Sequence, residues 1–368
     1  MATGRKRGAT RRVRIVAQQP SVALSKEEFV RRFRARFTDP AYGAVDAELE
    51  KVADVAWKAY QADRKSPRTR KAGRGFADPE FPLPLEWLET RERIHAAERA
   101  QRSRRSRSRV LVVSGAPRSS QTCPSETSKT WRLAKHAARA IAAQRGFEVD
   151  FLDLSVLSAE YGRVIYPCKA CVSTAQPLCH WPCSCYPNHG QGQTGDWMNE
   201  LYPRWAAAHG VMILTPVHWY QAPSALKLMI DRLVCADGGN PDLTSTHGKD
   251  AAAAKAIELR GWPYPRHLAG RAFAVFVHGD AAGAEGLRRN LVDWLTDMEL
   301  IPAGPHAGVD RYVGYYEAYA TSHDALDADR AVWKEVENLA LGLVERVRQI
   351  RAGTYRRPDA GLSAPRSK

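Results

Sequence analysis

At 368 residues the chain is too long for one minimal domain and too short for three, so one sizeable core carrying an extension is the expected organisation. Its hydrophobic content of 44% is that of a globular protein, and no run of about 18 apolar residues exists to form a membrane-spanning helix. The net charge of +15 is concentrated in residues 5–14, in RSRRSRSR at 102–109 and in the tail from Arg356 to Lys368; without aromatic interleaving or a recognition motif these read as solvated arms, and a nucleic-acid function is not indicated.

The start, MATGRKRGATRRVRIVAQQ, lacks the apolar core of a secretory signal, which points to a reducing, cytoplasmic setting. Within residues 22–62, SKEEFVRRFRARF and AVDAELEKVADVAWKAYQADR carry apolar residues at helical spacing. They predict a helical pair, the first helix capped by Ser25. The Pro-rich FADPEFPLPLEWL and the charged helical stretch ETRERIHAAERAQR follow. None of this has catalytic character, so residues 1–105 read as a basic tail and helical extension with an Arg-rich linker.

From residue 106 the pattern changes. RVLVVSG is a short β-branched run, and after a polar loop SETSKTWRLAKHAARAIAAQRG has helical periodicity and closes on Gly146. FEVDFLDLS, VMILTPV at 211–217, RAFAVFVHG at 271–279 and MELIPAGPH at 298–306 are further strands. Between and after them come the helical stretches APSALKLMIDRLVC, AAGAEGLRRNLVDWLTDM and DALDADRAVWKEVENLALGLVERVRQI. Apolar strands alternating with helices predict an α/β fold. Its expected form is a flavodoxin-like, doubly wound, parallel five-stranded sheet over 106–352, with a helical N-terminal extension, a cysteine-rich insert at 155–205, a long loop at 236–270 and a disordered basic tail at 353–368. A ligand then belongs at the carboxyl ends of the strands, near the switch point.

The loop after the first strand is Ser114-Gly115-Ala116-Pro117-Arg118-Ser119-Ser120, running on through Thr122 and Ser125 to Thr127, Ser128, Lys129 and Thr130. Hydroxyls and an Arg ahead of a helix amino terminus make an anion cradle. Neither the three-glycine dinucleotide fingerprint nor the P-loop pattern is present.

SGAPR resembles the phosphate loop of NADPH-dependent FMN reductases and iron-sulfur flavoproteins, and TPVHWYQAPSALKLMIDR at 215–232 resembles their second signature. The resemblance implies that Ser114, Arg118, Ser119, Ser128 and Thr130 hold the phosphate of FMN. It further implies that Pro216, Val217, His218 and Trp219 flank the ribityl chain and ring, and that Gly279 and Asp280 close the site. Ala116 stands where Ser is usual, and Tyr220-Gln221 replaces a Gly-containing pair. The implied activity is an oxidoreductase taking hydride from NAD(P)H and delivering electrons to a quinone, a flavin or a redox protein; the alternative is a flavodoxin-type electron carrier or redox-sensing module without that turnover. The cofactor carries the chemistry, so no catalytic acid, base or nucleophile is nominated. Members of this family commonly pair, which implies a homo-oligomer.

Seven cysteines are present, five of them between Cys168 and Cys185. A CxxC followed by CxxxCxC supplies thiolates for a [4Fe-4S] cluster or a tetrahedral zinc. Cys168, Cys171, Cys179 and Cys183 are the candidate ligands, with Cys185 as the rival fourth and His180 or His189 as substitutes in a zinc site. Packed cysteines or a redox dithiol are the third option. The resemblance favours iron, although the family's motif is more tightly spaced. Cys123 and Cys235 read as ordinary loop and helix residues. The long connection after Cys235 reads as a lid or contact arm; the alternative is a loop held down by Trp262 and Tyr264 as buried anchors.

Overall fold

Strands that are buried on both faces read as unbroken apolar runs, and three of the five expected strands, VLVV, VMIL and AFAVFV, are of that kind. In a computed structural model of the chain, which describes residues 13–17, 19, 23–62, 68–122, 125–186, 195–358 and 360–362, the elements follow in this order. The N-terminal part holds α1 (Lys26–Arg34), α2 (Asp46–Gln61), β1 (Thr69–Lys71), β2 (Pro82–Pro84) and α3 (Leu85–Arg102). Then come β3 (Ser108–Ser114), α4 (Lys129–Ala142), β4 (Phe147–Asp153), α5 (Val156–Ala159), α6 (Met198–Ala207), β5 (Gly210–Pro216), α7 (Ser224–Arg232) and α8 (Ala251–Leu259). The chain ends with β6 (Ala272–Gly279), α9 (Ala284–Asp297), β7 (Ile301–Pro302), β8 (Gly308–Tyr312), α10 (Ser322–Ala328) and α11 (Arg330–Ala352).

These elements sort into two units. A sheet unit comprises Glu89–Cys168, Gly195–Asp237 and Arg266–Lys368, and a second unit comprises Met1–Leu88, Lys169–Thr194 and Gly238–Pro265. The N-terminal arm, most of the cysteine insert and the long connection therefore belong together.

In the sheet unit the strand order is β4-β3-β5-β6-β7, with β8 also pairing β6, and every pairing is parallel. That is the flavodoxin-like order. Leu133, Ala137 and Ile141 of α4 pack with Val336, Leu343, Val344 and Val347 of α11 against Val110, Val112, Met212 and Leu214. Helices α6 and α9, joined by Trp205 on Trp294 at 6.1 Å, contact β3 and β6 in turn.

Three boundaries differ from the sequence expectation. The fifth strand position is split: β7 pairs with Ala272 and Phe273, whereas β8 pairs with Val275 to Gly279. Pro302 has no N–H to continue the ladder, and the chain turns between Ala303 and Ala307 before pairing resumes. Helix α4 starts at Lys129, capped by Ser128, whose Oγ accepts from the Trp131 N–H at 3.0 Å; Ser125 lies at φ 70, outside helical backbone. The last helical stretch breaks at Asp329, whose carboxylate accepts the Val332 N–H and starts α11 afresh.

In the second unit Ser25 caps α1 by accepting the Glu28 N–H, and Phe29 of α1 packs on Trp57 and Tyr60 of α2 at 5.4 Å and 5.0 Å. β1 and β2 form an antiparallel ribbon, beside which Leu83, Trp87, Leu88 and Leu243 make a small core. The long connection is partly helical, because Asp250 accepts the N–H groups of Ala252 and Ala253 and so starts α8. Trp262 anchors it, donating Nε1–H to the Gly238 carbonyl at 2.8 Å, whereas Tyr264 is 46% exposed. Among the described residues no helix is long and apolar enough to cross a membrane.

Candidate functional site

At the carboxyl ends of β3, β5 and β6 the loops cannot fold back onto the sheet, because each leaves a parallel strand for a helix. They enclose a cavity of about 600 Å³, within the range that holds small cofactors. Its wall includes Arg118, Ser128, Thr130, Pro216, Val217, His218, Gly279 and Asp280, which the sequence placed there. Of the remaining expected residues, Ser114 is buried beneath the wall, the Ser119 hydroxyl accepts the Gln121 N–H at 3.1 Å, and Trp219 stands 94% exposed.

Glycine sets the shape of two walls. A Cβ on Gly115 would lie 2.8 Å from Thr215 Oγ1 and 2.9 Å from Thr215 Cβ, so only glycine lets the loop after β3 lie against β5. On Gly279 it would lie 2.7 Å from Val217 Cγ1 and 2.9 Å from the Ala281 carbonyl oxygen.

One stretch of wall is suited to an anion. Ser128, Lys129 and Thr130 bring the amino terminus of α4 to the cavity, where the helix dipole is positive. Lys129 Nζ lies 3.4 Å from Asp280 Oδ2, its side chain 11% exposed. Arg118 donates through Nε to the Glu126 carbonyl at 3.0 Å and pairs with the Glu126 carboxylate at 3.5 Å.

Behind this wall His278 Nε2 meets Thr130 Oγ1 at 2.7 Å, and His278 Nδ1 is buried with no hydrogen-bond partner among the described residues. Burial, helped by the charges of Lys129 and His218, lowers His278 to about 3. Its ring is therefore neutral, with one nitrogen left for a ligand atom.

Beyond β5 the chain makes a two-residue turn closed by mutual hydrogen bonds between His218 and Gln221, both 2.9 Å. Trp219 and Tyr220 sit in it at φ 47 and φ 65, backbone that favours Asn and Gly. Holding two aromatic residues there stores strain, and both rings project into solvent, Tyr220 at 63% exposure. Gly283 is matched to this turn: a Cβ on it would lie 2.9 Å from Tyr220 Cα.

Several lining residues escaped the sequence reading. Ser158 follows β4, Tyr319 lies in the turn ahead of α10, and Ser322 and His323 open α10. His323 Nδ1 accepts from Arg132 at 3.0 Å, and its Nε2 lies 3.4 Å from Glu126. Their one sequence signal is Ser-His at a helix start, which is indistinguishable from an ordinary cap.

Among the described residues no group of three or more His, Cys, Asp or Glu side chains is arranged to hold a metal ion. Cys168 ends a segment of the sheet unit; Cys171, Cys179, Cys183 and Cys185 belong to the second unit. There Cys171 Sγ and Cys185 Sγ are 3.5 Å apart, with Lys249 Nζ at 3.6 Å and 3.3 Å from them. An ammonium shared by both sulfurs puts a positive charge where a metal would put its own, so this geometry does not fit the expected cluster. The hydrogen bond with Cys185, opposed by burial and helped by Lys249, lowers the Cys171 thiol to about 6. Nor does His180 fit as a zinc ligand, since its Nδ1 meets Ser184 Oγ at 2.6 Å and its Nε2 meets Thr246 Oγ1 at 2.8 Å. His189 and Cys123 lie outside the described residues.

The sequence profile of the NADPH-dependent FMN reductase family matches residues 108–312. An iron-sulfur flavoprotein of Methanosarcina thermophila is 29% identical over 127 residues, which are 34% of this chain and 52% of that protein; the chain thus matches about half the length of this curated relative. Among solved structures, RosB with a bound 8-demethyl-8-formylriboflavin-5'-phosphate intermediate is 15% identical, covering 67% of this chain and 82% of that one at a TM-score of 0.46. An FMN-dependent NADH-azoreductase of Bacillus anthracis in complex with FMN is likewise 15% identical, covering 64% and 99% at a TM-score of 0.37.

Proposed function

The chain belongs to the NADPH-dependent FMN reductase family, and we propose that its sheet unit binds FMN in the cavity and takes hydride from NAD(P)H, passing the electrons to an acceptor such as a quinone, a second flavin or a redox protein. The observation that carries this reading is the make-up of the wall: a helix amino terminus with Lys129 and Arg118, together with Pro216, Val217 and Gly279. The first group suits a phosphate and the second a flat apolar ring. His278 Nδ1 offers a further polar contact. Bound FMN would supply the hydride-accepting and electron-passing chemistry.

The chain's own residues bind and orient. Ser128, Lys129, Thr130 and Arg118 hold the phosphate, Pro216, Val217 and His218 flank the ribityl chain and ring, and Gly279 and Asp280 close the site. Asp280 keeps Lys129 turned toward the cavity and balances its charge before the phosphate arrives.

Lys129→Met is therefore expected to weaken FMN binding about 10- to 100-fold, the loss of one charge-assisted hydrogen bond of about 1.5–3 kcal/mol. Asp280→Asn, which removes a competing anion, should tighten it. Fluorescence titration of FMN measures both, and equal affinities in all three proteins would contradict the assignment.

Turnover separates the two redox readings. FMN-loaded protein should oxidise NADPH or NADH steadily with a quinone or ferricyanide as acceptor and no other protein present. If it oxidises neither, it is an electron carrier that depends on an external reductase.

A further inference from the structure

The second unit holds reactive side chains that this function leaves unused. Cys171 Sγ and Cys185 Sγ stand 3.5 Å apart, and the Lys249 ammonium donates to both. Both cysteines are half-buried, so a small reagent can reach them. We propose that Cys171 and Cys185 form a redox-active dithiol that closes to a disulfide by exchange with a low-molecular-weight disulfide, with Lys249 as the cation that holds and activates the attacking sulfur.

Lys249 is positioned from two directions. It stands two residues ahead of α8, and that helix also carries the Cys171 segment: Ala175 and Leu178 pack on Ala254, and the Gln176 N–H donates to Glu258 at 3.0 Å. From the other side, Ser184 is the neighbour of Cys185, and Ser184, His180 and Thr246 form a hydrogen-bonded chain at 2.6 Å and 2.8 Å. Thr246 begins the turn to Lys249, in which His247 and Gly248 adopt φ 42 and φ 80. The buried imidazole thus ties the cysteine segment to the lysine turn.

The exchange balances without another reagent. The Cys171 thiolate attacks one sulfur of the small disulfide, whose S–S bond breaks and releases a thiolate that takes a proton. Cys185 then gives up its own proton and attacks Cys171 Sγ, breaking the mixed disulfide and releasing the second thiolate. Two protein thiols are oxidised by two electrons, and one small disulfide becomes two thiols. The protein sulfurs need only close from their present separation to about 2.05 Å. An ammonium stabilises a thiolate and not a neutral disulfide, so Lys249 favours the reduced pair and makes its disulfide the more oxidising.

The test uses the full-length reduced protein, equilibrated without oxygen against mixtures of glutathione and glutathione disulfide, quenched in acid, alkylated and mapped by peptide mass spectrometry. A Cys171–Cys185 linked peptide should rise with the glutathione disulfide fraction. Cys185→Ser should instead accumulate glutathione on Cys171. Lys249→Met should shift the midpoint about tenfold toward the protein disulfide, and Lys249→Arg much less. The proposal is overturned if both cysteines stay alkylatable across the series, or if either pairs with a different cysteine. It is also overturned if the protein purifies with stoichiometric iron or zinc that must be removed before Cys171 and Cys185 react. The wild-type series and the metal assay decide this without any variant, and neither depends on flavin.

Discussion

Lowering the pH from 7 to 5 is expected to cost the sheet unit about 4 kcal/mol of stability, through two buried histidines that fold only as neutral rings. His209 and His278 are 5% and 3% exposed. His209 Nδ1 accepts the Arg109 N–H at 3.0 Å and its Nε2–H donates to the Gln101 carbonyl at 2.8 Å, so protonation breaks a bond already made. Burial, then the charges of Arg351 and Arg271, lowers it to about 4; His278 is lowered to about 3. Both folded values lie below the ordinary value of about 6.5, so between these limits the unfolded chain binds the extra protons. Stability from this source is complete above about pH 6.5 and falls as the pH drops toward about 4 and 3, each group costing up to about 1.4 kcal/mol per pH unit. Urea unfolding at pH 7, 6 and 5 measures it. His209→Gln should remove about half the slope, and a midpoint that does not move with pH would contradict the account.

Asp196→Ala should destabilise the same unit by about 3–5 kcal/mol, since it leaves a guanidinium buried without its anion. Arg232 and Asp196 have side chains only 1% and 2% exposed. They meet through two hydrogen bonds of 2.6 Å and 3.2 Å, and Arg232 also donates to the Tyr166 carbonyl at 2.9 Å. In a unit of this size the loss corresponds to a melting-temperature drop of roughly 10 °C. Replacing both partners together, Asp196→Leu with Arg232→Met, should recover much of it. Differential scanning calorimetry of the two variants tests the claim, and a double variant no better than the single would show that the pair is worth more than its burial cost.

Arg232 also shows what the sequence could convey. It ends the 215–232 signature, and that signature marked the fold correctly, yet Arg232 is spent on an internal ion pair while Pro216, Val217 and His218 of the same stretch line the cavity. The central strands were readable because burial on both faces leaves no polar alternation in VLVV or AFAVFV. The edge was not, since β8 is only partly buried and GVDRY carries no such pattern. In the site, the amino end of α4 was legible from its hydroxyls, whereas His278 looked like one more strand residue. Lys249 could not have been found from sequence, because it lies 78 residues from Cys171 and 64 from Cys185; only the fold brings an ammonium to that cysteine pair.

The central claim is that the cavity at the ends of β3, β5 and β6 is a flavin site. Its most direct test is titration of FMN into the purified full-length protein, followed by flavin absorbance and fluorescence. One FMN per chain, bound saturably with a perturbed flavin spectrum and weakened by Lys129→Met without change in circular dichroism, is the predicted result. A folded protein that shows no saturable FMN binding, and releases no flavin on acid treatment, would contradict it.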